Sequence, residues 1–159
     1  MTKQRNNSGL SALQTIGLST VVIAILDNIA ASAVFYAWFK MTPTQVIQFI
    51  ASSLYGEQAF DSSISKIVVG IGIHLLTSFI IALVYFYAYP KVSFLRKYPA
   101  LAGLLYGFAF WVVMNLLIIP ATLIAPAPFN LGLALTSIAW HMFLVGLPAA
   151  LITKKYYQQ

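Results

Sequence analysis

A chain of 159 residues that is 60% hydrophobic, with charge on only 8% of its positions, is not built to face water, because soluble domains carry about a quarter charged residues. Cysteine is absent, which excludes disulfides, thiolate metal ligands and cysteine nucleophiles. The net charge of +6 lies between apolar segments and not along one basic face, so it indicates topology and headgroup contact and argues against nucleic acid.

In chain order, residues 1–11 are polar and include Lys3 and Arg5, and a hydrophobic run follows to about Phe39. That run is too long for the apolar core of a signal peptide and has no clear cleavage pattern. It is expected to be a retained transmembrane helix over 13–39. Thr42-Pro43-Thr44-Gln45 has the form of a capping box with proline at the first helical position. Gly56 is placed as a stop. The helix over 43–55 is too short to span and carries an apolar set (Val46, Ile47, Phe49, Ile50 and Leu54), so it should lie in the interface or cover the bundle. Further spans are expected over 63–89, 99–123 and 131–153. Pro90 ends the second, Pro99 opens the third, and a rigid Ala125-Pro126-Ala127-Pro128 turn separates the third from the fourth.

The fold class is therefore an all-α membrane protein, a single four-transmembrane-helix bundle with a short periplasmic-side amphipathic helix. Lys3, Arg5, Lys91, Arg96, Lys97, Lys154 and Lys155 fall on one side of such a bundle, and Lys40 and Lys66 on the other. The positive-inside rule puts the first side, with both termini, in the cytoplasm of a bacterial inner membrane.

Each span carries one strongly polar residue near mid-depth: Asp27, His74, Asn115 and His141. At 1.5 Å per residue all four are expected within about 6 Å of one another along the membrane normal. Thr20, Ala24, Asp27 and Ala31 share a small-residue face of span one; Gly103, Gly107, Trp111 and Asn115 recur every four residues in span three. Such stripes let helices approach in lipid, so Gly103 and Gly107 are expected at a helix contact. Asn28, Thr77, Ser78, Tyr85, Trp111 and Ser137 are the expected supporting side chains. Pro148 should kink span four one turn beyond His141.

Three roles suit the cluster. Asp27 and a histidine can form a buried structural pair that fixes helix register. The same groups can pass protons or a small solute, because ionisable residues at this depth are expensive and mark pathways. Alternatively His74 and His141 ligate a haem or metal, with Gly70 and Gly72 leaving room. No P-loop, GxSxG or HExxH pattern occurs, so no enzyme is expected and no catalytic residue is assigned.

Several segments are similar to a group of small four-span bacterial inner-membrane proteins. They are Leu26-Asp27, QFIASSLYG at 48–56, Ala59-Phe60, His74, GLLYG at 103–107, MNLLIIP at 114–120, Pro128-Phe129 and HMFLVGLPAALI at 141–152. The helix-borne histidines, Gly-rich third span and Pro-x-Pro-Phe turn more loosely resemble YagU-like membrane proteins. The resemblance implies a four-helix membrane protein and brings no established activity. Handling of a proton, ion or small solute by Asp27, His74, Asn115 and His141 is the expected function, with a non-catalytic scaffold or complex subunit as its rival. The expected partners are the lipid bilayer and, given the small interior of one four-helix chain, further copies in a homo-oligomer.

Overall fold

The computed structural model describes residues 9–61 and 63–158. Lys3 and Arg5, which carry part of the topology argument, lie outside the described residues. Four helices are long and apolar enough to cross a membrane: Ala12–Phe39 (α1), Ile64–Ala88 (α3), Pro99–Ala121 and Leu131–Tyr157. Helix α2, Pro43–Tyr55, follows α1, and a short helix α4, Ser93–Lys97, precedes the third span. The third span comprises α5, Pro99–Val113, a π-helical segment Met114–Ile118 and a 3-10 turn Ile119–Ala121. The fourth comprises α6, Leu131–Trp140, a π-helical segment His141–Gly146 and α7, Leu147–Tyr157. No strand occurs among the described residues.

The local chemistry accounts for the element ends. Ser11 and Gln14 form a capping box at the start of α1. At α2 the Thr42 N–H donates to Gln45 Oε1 at 2.8 Å and the Gln45 N–H to Thr42 Oγ1 at 3.3 Å, satisfying two otherwise orphaned donors. Helix α2 ends at Gly56, whose φ of 55° is a conformation that costs an L side chain steric strain. Asp61 then accepts from the Ser63 N–H and pairs with Lys66 at 2.5 Å, tying the loop to the first turn of α3. This ion pair holds the Asp61 carboxyl below its ordinary value of 3.8. The Arg96 guanidinium donates to the Pro90 carbonyl across the short connection after α3.

The expected kink at Pro148 takes the form of a wider turn. The Leu147 N–H donates to the Met142 carbonyl, and in the third span the Ile119 N–H donates to the Met114 carbonyl, each five residues back. The next residue in each case is proline, Pro148 or Pro120. A proline donates nothing and crowds the carbonyl four residues earlier, so both spans relax that crowding through a π turn. The fourth span also extends to Tyr157, beyond the expected end at 153. Its last turn is held by aromatic contacts of Tyr156 and Tyr157 with Phe86 and of Tyr157 with Tyr89.

The fourth span is the hub, packed against α1, α3 and α5. Its contact with α5 is built on glycine: a Cβ at Gly107 would run into the His141 carbonyl, and one at Gly146 into the Gly103 carbonyl. The core lies in the half nearest the termini, where Ile16, Ile23, Ile81, Tyr85, Phe86 and Val145 are buried. Outward faces remain apolar and exposed, as at Ile29, Val68, Leu76 and Leu117, which is what contact with hydrocarbon requires. Helix α2 buries Val46, Gln48, Ala51 and Ser52 and packs on α3 at Gly70, where the Ile47 carbonyl fills the space a side chain would need.

Candidate functional site

Asp27 of α1 meets residues from two other spans. Trp140 Nε1 donates to Asp27 Oδ1 at 2.9 Å. His141 Nε2 lies 3.7 Å from the same oxygen, and His74 Nδ1 lies 3.9 Å from Oδ2. The two imidazoles therefore face different oxygens of one carboxylate. The histidine side chains are 12% exposed and that of Asp27 is 21% exposed.

Backbone carbonyls decide how the rings are protonated. His74 Nε2 is 2.9 Å from the Ala24 carbonyl, and His141 Nδ1 is 2.6 Å from the Ser137 carbonyl. A carbonyl oxygen can only accept, so these two ring nitrogens are the N–H donors. In a neutral imidazole the other nitrogen then carries a bare lone pair, and on both rings that nitrogen faces Asp27. Apart from the Trp140 N–H, the trio is three acceptors aimed at one another. Shared protons convert those contacts from repulsive to attractive.

The surroundings hold the rings in place. Trp140 stacks on His141 with centroids 4.9 Å apart, and Phe110 packs against the imidazole at 5.8 Å. Ser78 donates to the His74 carbonyl at 2.9 Å. Ser137 donates to the Ala134 carbonyl and accepts from Trp111 Nε1 at 2.6 Å, linking α5 to α6 beside His141. Above the site Phe35 packs on Phe39, Phe49 and Trp140, a cover of aromatic rings on the α2 side. Thr77 is half-buried on α3, and Tyr85 is buried two turns beyond Ser78. Asn28 lines a groove of about 370 Å³ open between α1, α2 and α3, together with His74, Ile47 and Ile71.

Asn115 is not part of the trio. Among the described residues its amide donates only to the Trp111 carbonyl of its own helix, at 3.0 Å. The reason is register. Gly107 abuts His141 and Trp111 bonds Ser137, so Asn115, eight residues beyond Gly107, sits roughly 12 Å farther toward the loop side. The expected layer of four residues is a layer of three. Trp140 joins that layer as the hydrogen-bond donor to Asp27, and the only mark it carries in the sequence is its adjacency to His141. The room expected at Gly70 for a haem or metal is filled by the α2 backbone, whereas Gly72 faces open space. No group of three or more His, Cys, Asp or Glu side chains spaced for a metal ion occurs among the described residues.

The chain matches no protein-family model, no curated protein and no solved structure.

Proposed function

We propose that this multi-pass membrane protein handles protons in a bacterial inner membrane, with both termini cytoplasmic and Asp27 as the bridge between two imidazoles. The single observation behind this reading is that backbone carbonyls fix both ring tautomers so that His74 Nδ1 and His141 Nε2 point their lone pairs at opposite oxygens of Asp27. One proton on the trio gives a net-neutral carboxylate–imidazolium pair, whose attraction at roughly 4 Å is about 4 kcal/mol at an effective dielectric near 20. An unpaired carboxylate at this depth costs several kcal/mol. The contacts at 3.9 and 3.7 Å must first close to hydrogen-bond length; the proton can then pass from His74 Nδ1 to Oδ2 and from Oδ1 to His141 Nε2, and rotation of the protonated carboxyl connects the two halves. Trp140 holds Oδ1 on the His141 side until that rotation.

Proton flux into vesicles reconstituted with the purified protein tests the reading. Flux should be lost in Asp27→Asn and lowered in His74→Ala and His141→Ala. A second reading, a packing device with no flux, is favoured by the way Asp27 ties α1 to the fourth span and lies beside α3. It predicts a cooperative loss of stability in Asp27→Asn and no proton flux in any variant, wild type included.

A further inference from the structure

Two buried hydroxyls in the termini-side half of the bundle lack a hydrogen-bond partner among the described residues, as do Asn28 Nδ2 and Ser32 Oγ toward the loop side. Ser19 is 2% exposed and Tyr85 is 1% exposed, and neither Ser19 Oγ nor Tyr85 Oη has a hydrogen-bond partner among the described residues. Four nearby hydroxyls are satisfied. Thr15 donates to the Ser11 carbonyl, Thr20 to the Ile16 carbonyl, Ser78 to the His74 carbonyl and Tyr106 to the Ile81 carbonyl. Buried polar groups are bonded to protein or ordered water in the great majority of cases, and leaving one unmade costs about 1–3 kcal/mol. A serine could have bonded its own helix, as Thr20 does one residue later. That Ser19 does not, and that the ring of Tyr85 is pinned edge-on by Tyr106 at 5.0 Å, marks both hydroxyls as aimed at something else.

Their position relative to the trio is fixed by the pairing of α1 with α3. His74 bonds the Ala24 carbonyl, and the helices run in opposite directions, so Ser19 is level with the turn after Ser78. Tyr85 follows one turn later, with its side chain tilted back toward that level. One turn below Ser19, Thr15 lines a cleft of about 160 Å³ together with Leu10, Leu18, Ile152, Lys155 and Tyr156. Ile23 and Val145, each 1% exposed, lie on the turns between the Ser19 level and the trio, and Ile81 belongs to the same buried cluster as they and Tyr85 do. On the other side of the trio the rings of Phe35, Phe49 and Trp140 cover Asp27, and the groove at His74 opens between the apolar side chains of Ile25, Ile29, Ile71 and Leu75.

We infer that Ser19 and Tyr85 hold ordered water that joins the Asp27 trio to the side carrying the termini, with the buried aliphatic cluster of Ile23, Ile81 and Val145 as the gate between them. This rests on the proton-handling reading and gives it a direction: the trio exchanges protons with the termini side. Opening needs only side-chain rearrangement of three aliphatic residues, after which water bridges from Ser19 and Tyr85 to Asp27 over roughly 12 Å, the rise from Ser19 to Asp27. The titratable groups around the route are His74, Tyr85 and Tyr89 on α3, His141 in the fourth span, Tyr106 on α5, and Lys155 and Tyr156 at the cleft. Helix α2 contributes only Tyr55, at its far end.

The chain has no cysteine, so Ser19→Cys introduces a single thiol of nearly the same size. Thiosulfonates react with the ionised thiol, which forms only where water reaches it. In vesicles of uniform orientation, a small cationic methanethiosulfonate should modify Ser19→Cys when added on the termini side and not when added on the loop side. Tyr85→Phe should lower the Asp27-dependent proton flux at least about tenfold, a loss in the range expected for a proton-transfer group, while Thr136→Val on the exposed face of α6 leaves it unchanged. No modification from the termini side, or modification from the loop side alone, overturns the inference, as does full flux in Tyr85→Phe. Modification as expected with flux indifferent to Asp27→Asn leaves the water path standing and defeats the proton-handling reading instead.

Discussion

Trp140 gives its one N–H to Asp27 Oδ1 at 2.9 Å, joining residues 113 positions apart in the chain. This hydrogen bond ties α6 to α1 and is the sole donor the carboxylate receives among the described residues. Replacing Trp140 with Phe keeps an aromatic ring against His141 and Phe35 but strands the acceptor. The expected loss of stability is about 1–3 kcal/mol, the range for an unsatisfied buried group. Trp38→Phe, at a position 44% exposed, should leave stability within about 0.5 kcal/mol of wild type. Thermal unfolding of the two variants in the same detergent makes the comparison.

Gly107 and Gly146 set the distance between α5 and the fourth span. A methyl group at either position meets backbone carbonyl oxygen and not a side chain that could move aside. Gly107→Ala should therefore cost about 1–3 kcal/mol through forced separation of the helices and should displace His141, whose carbonyl is the atom met. Gly72→Ala is the matched control, since nothing lies within 4 Å of its added methyl. It should be neutral, or stabilising by up to about 1 kcal/mol through helix propensity.

The loop-side clasp between Asp61 and Lys66 should be visible in the pH dependence of stability. Its folded-state carboxyl is held below 3.8, with the Lys66 hydrogen bond the largest cause. The stabilisation is thus complete above the unfolded value and is lost as pH falls through the lower folded value. Melting temperatures of wild type and Asp61→Asn should differ at pH 6 and converge as the pH is lowered below 3.8. A difference that persists unchanged into acid would assign the effect to the Ser63 cap and not to the ion pair.

Much of this architecture can be read from the chain because its signals are local. The capping pair Thr42 and Gln45 with Gly56 beyond bounds α2 at the residues observed, since each cap is decided within four positions. The spans follow from hydropathy, and the isolation of Asp27, His74 and His141 in apolar runs marks them without any knowledge of their neighbours. Register between helices is not local. Depth counted from the span ends puts Asn115 level with His141, whereas interlocked glycines at Gly103, Gly107 and Gly146 slide α5 by two turns. The π turns escape for a different reason: Pro120 and Pro148 announce a disturbance, and the presence of proline alone does not specify that it is taken up by a widened turn. Trp140 lies next to His141 in sequence, yet its bond to Asp27 depends on how α1 and α6 face each other.

The protonation state of the two imidazoles tests the central claim most directly. Site-resolved nitrogen NMR of histidine-labelled protein in bilayers, followed through pH 4–9, reports which ring nitrogens carry protons. The account predicts a proton on Nε2 of His74 and on Nδ1 of His141 throughout, with the second proton arriving in coupled steps that disappear in Asp27→Asn. Opposite tautomers, or titration of both rings that is the same with and without the Asp27 carboxylate, would contradict it.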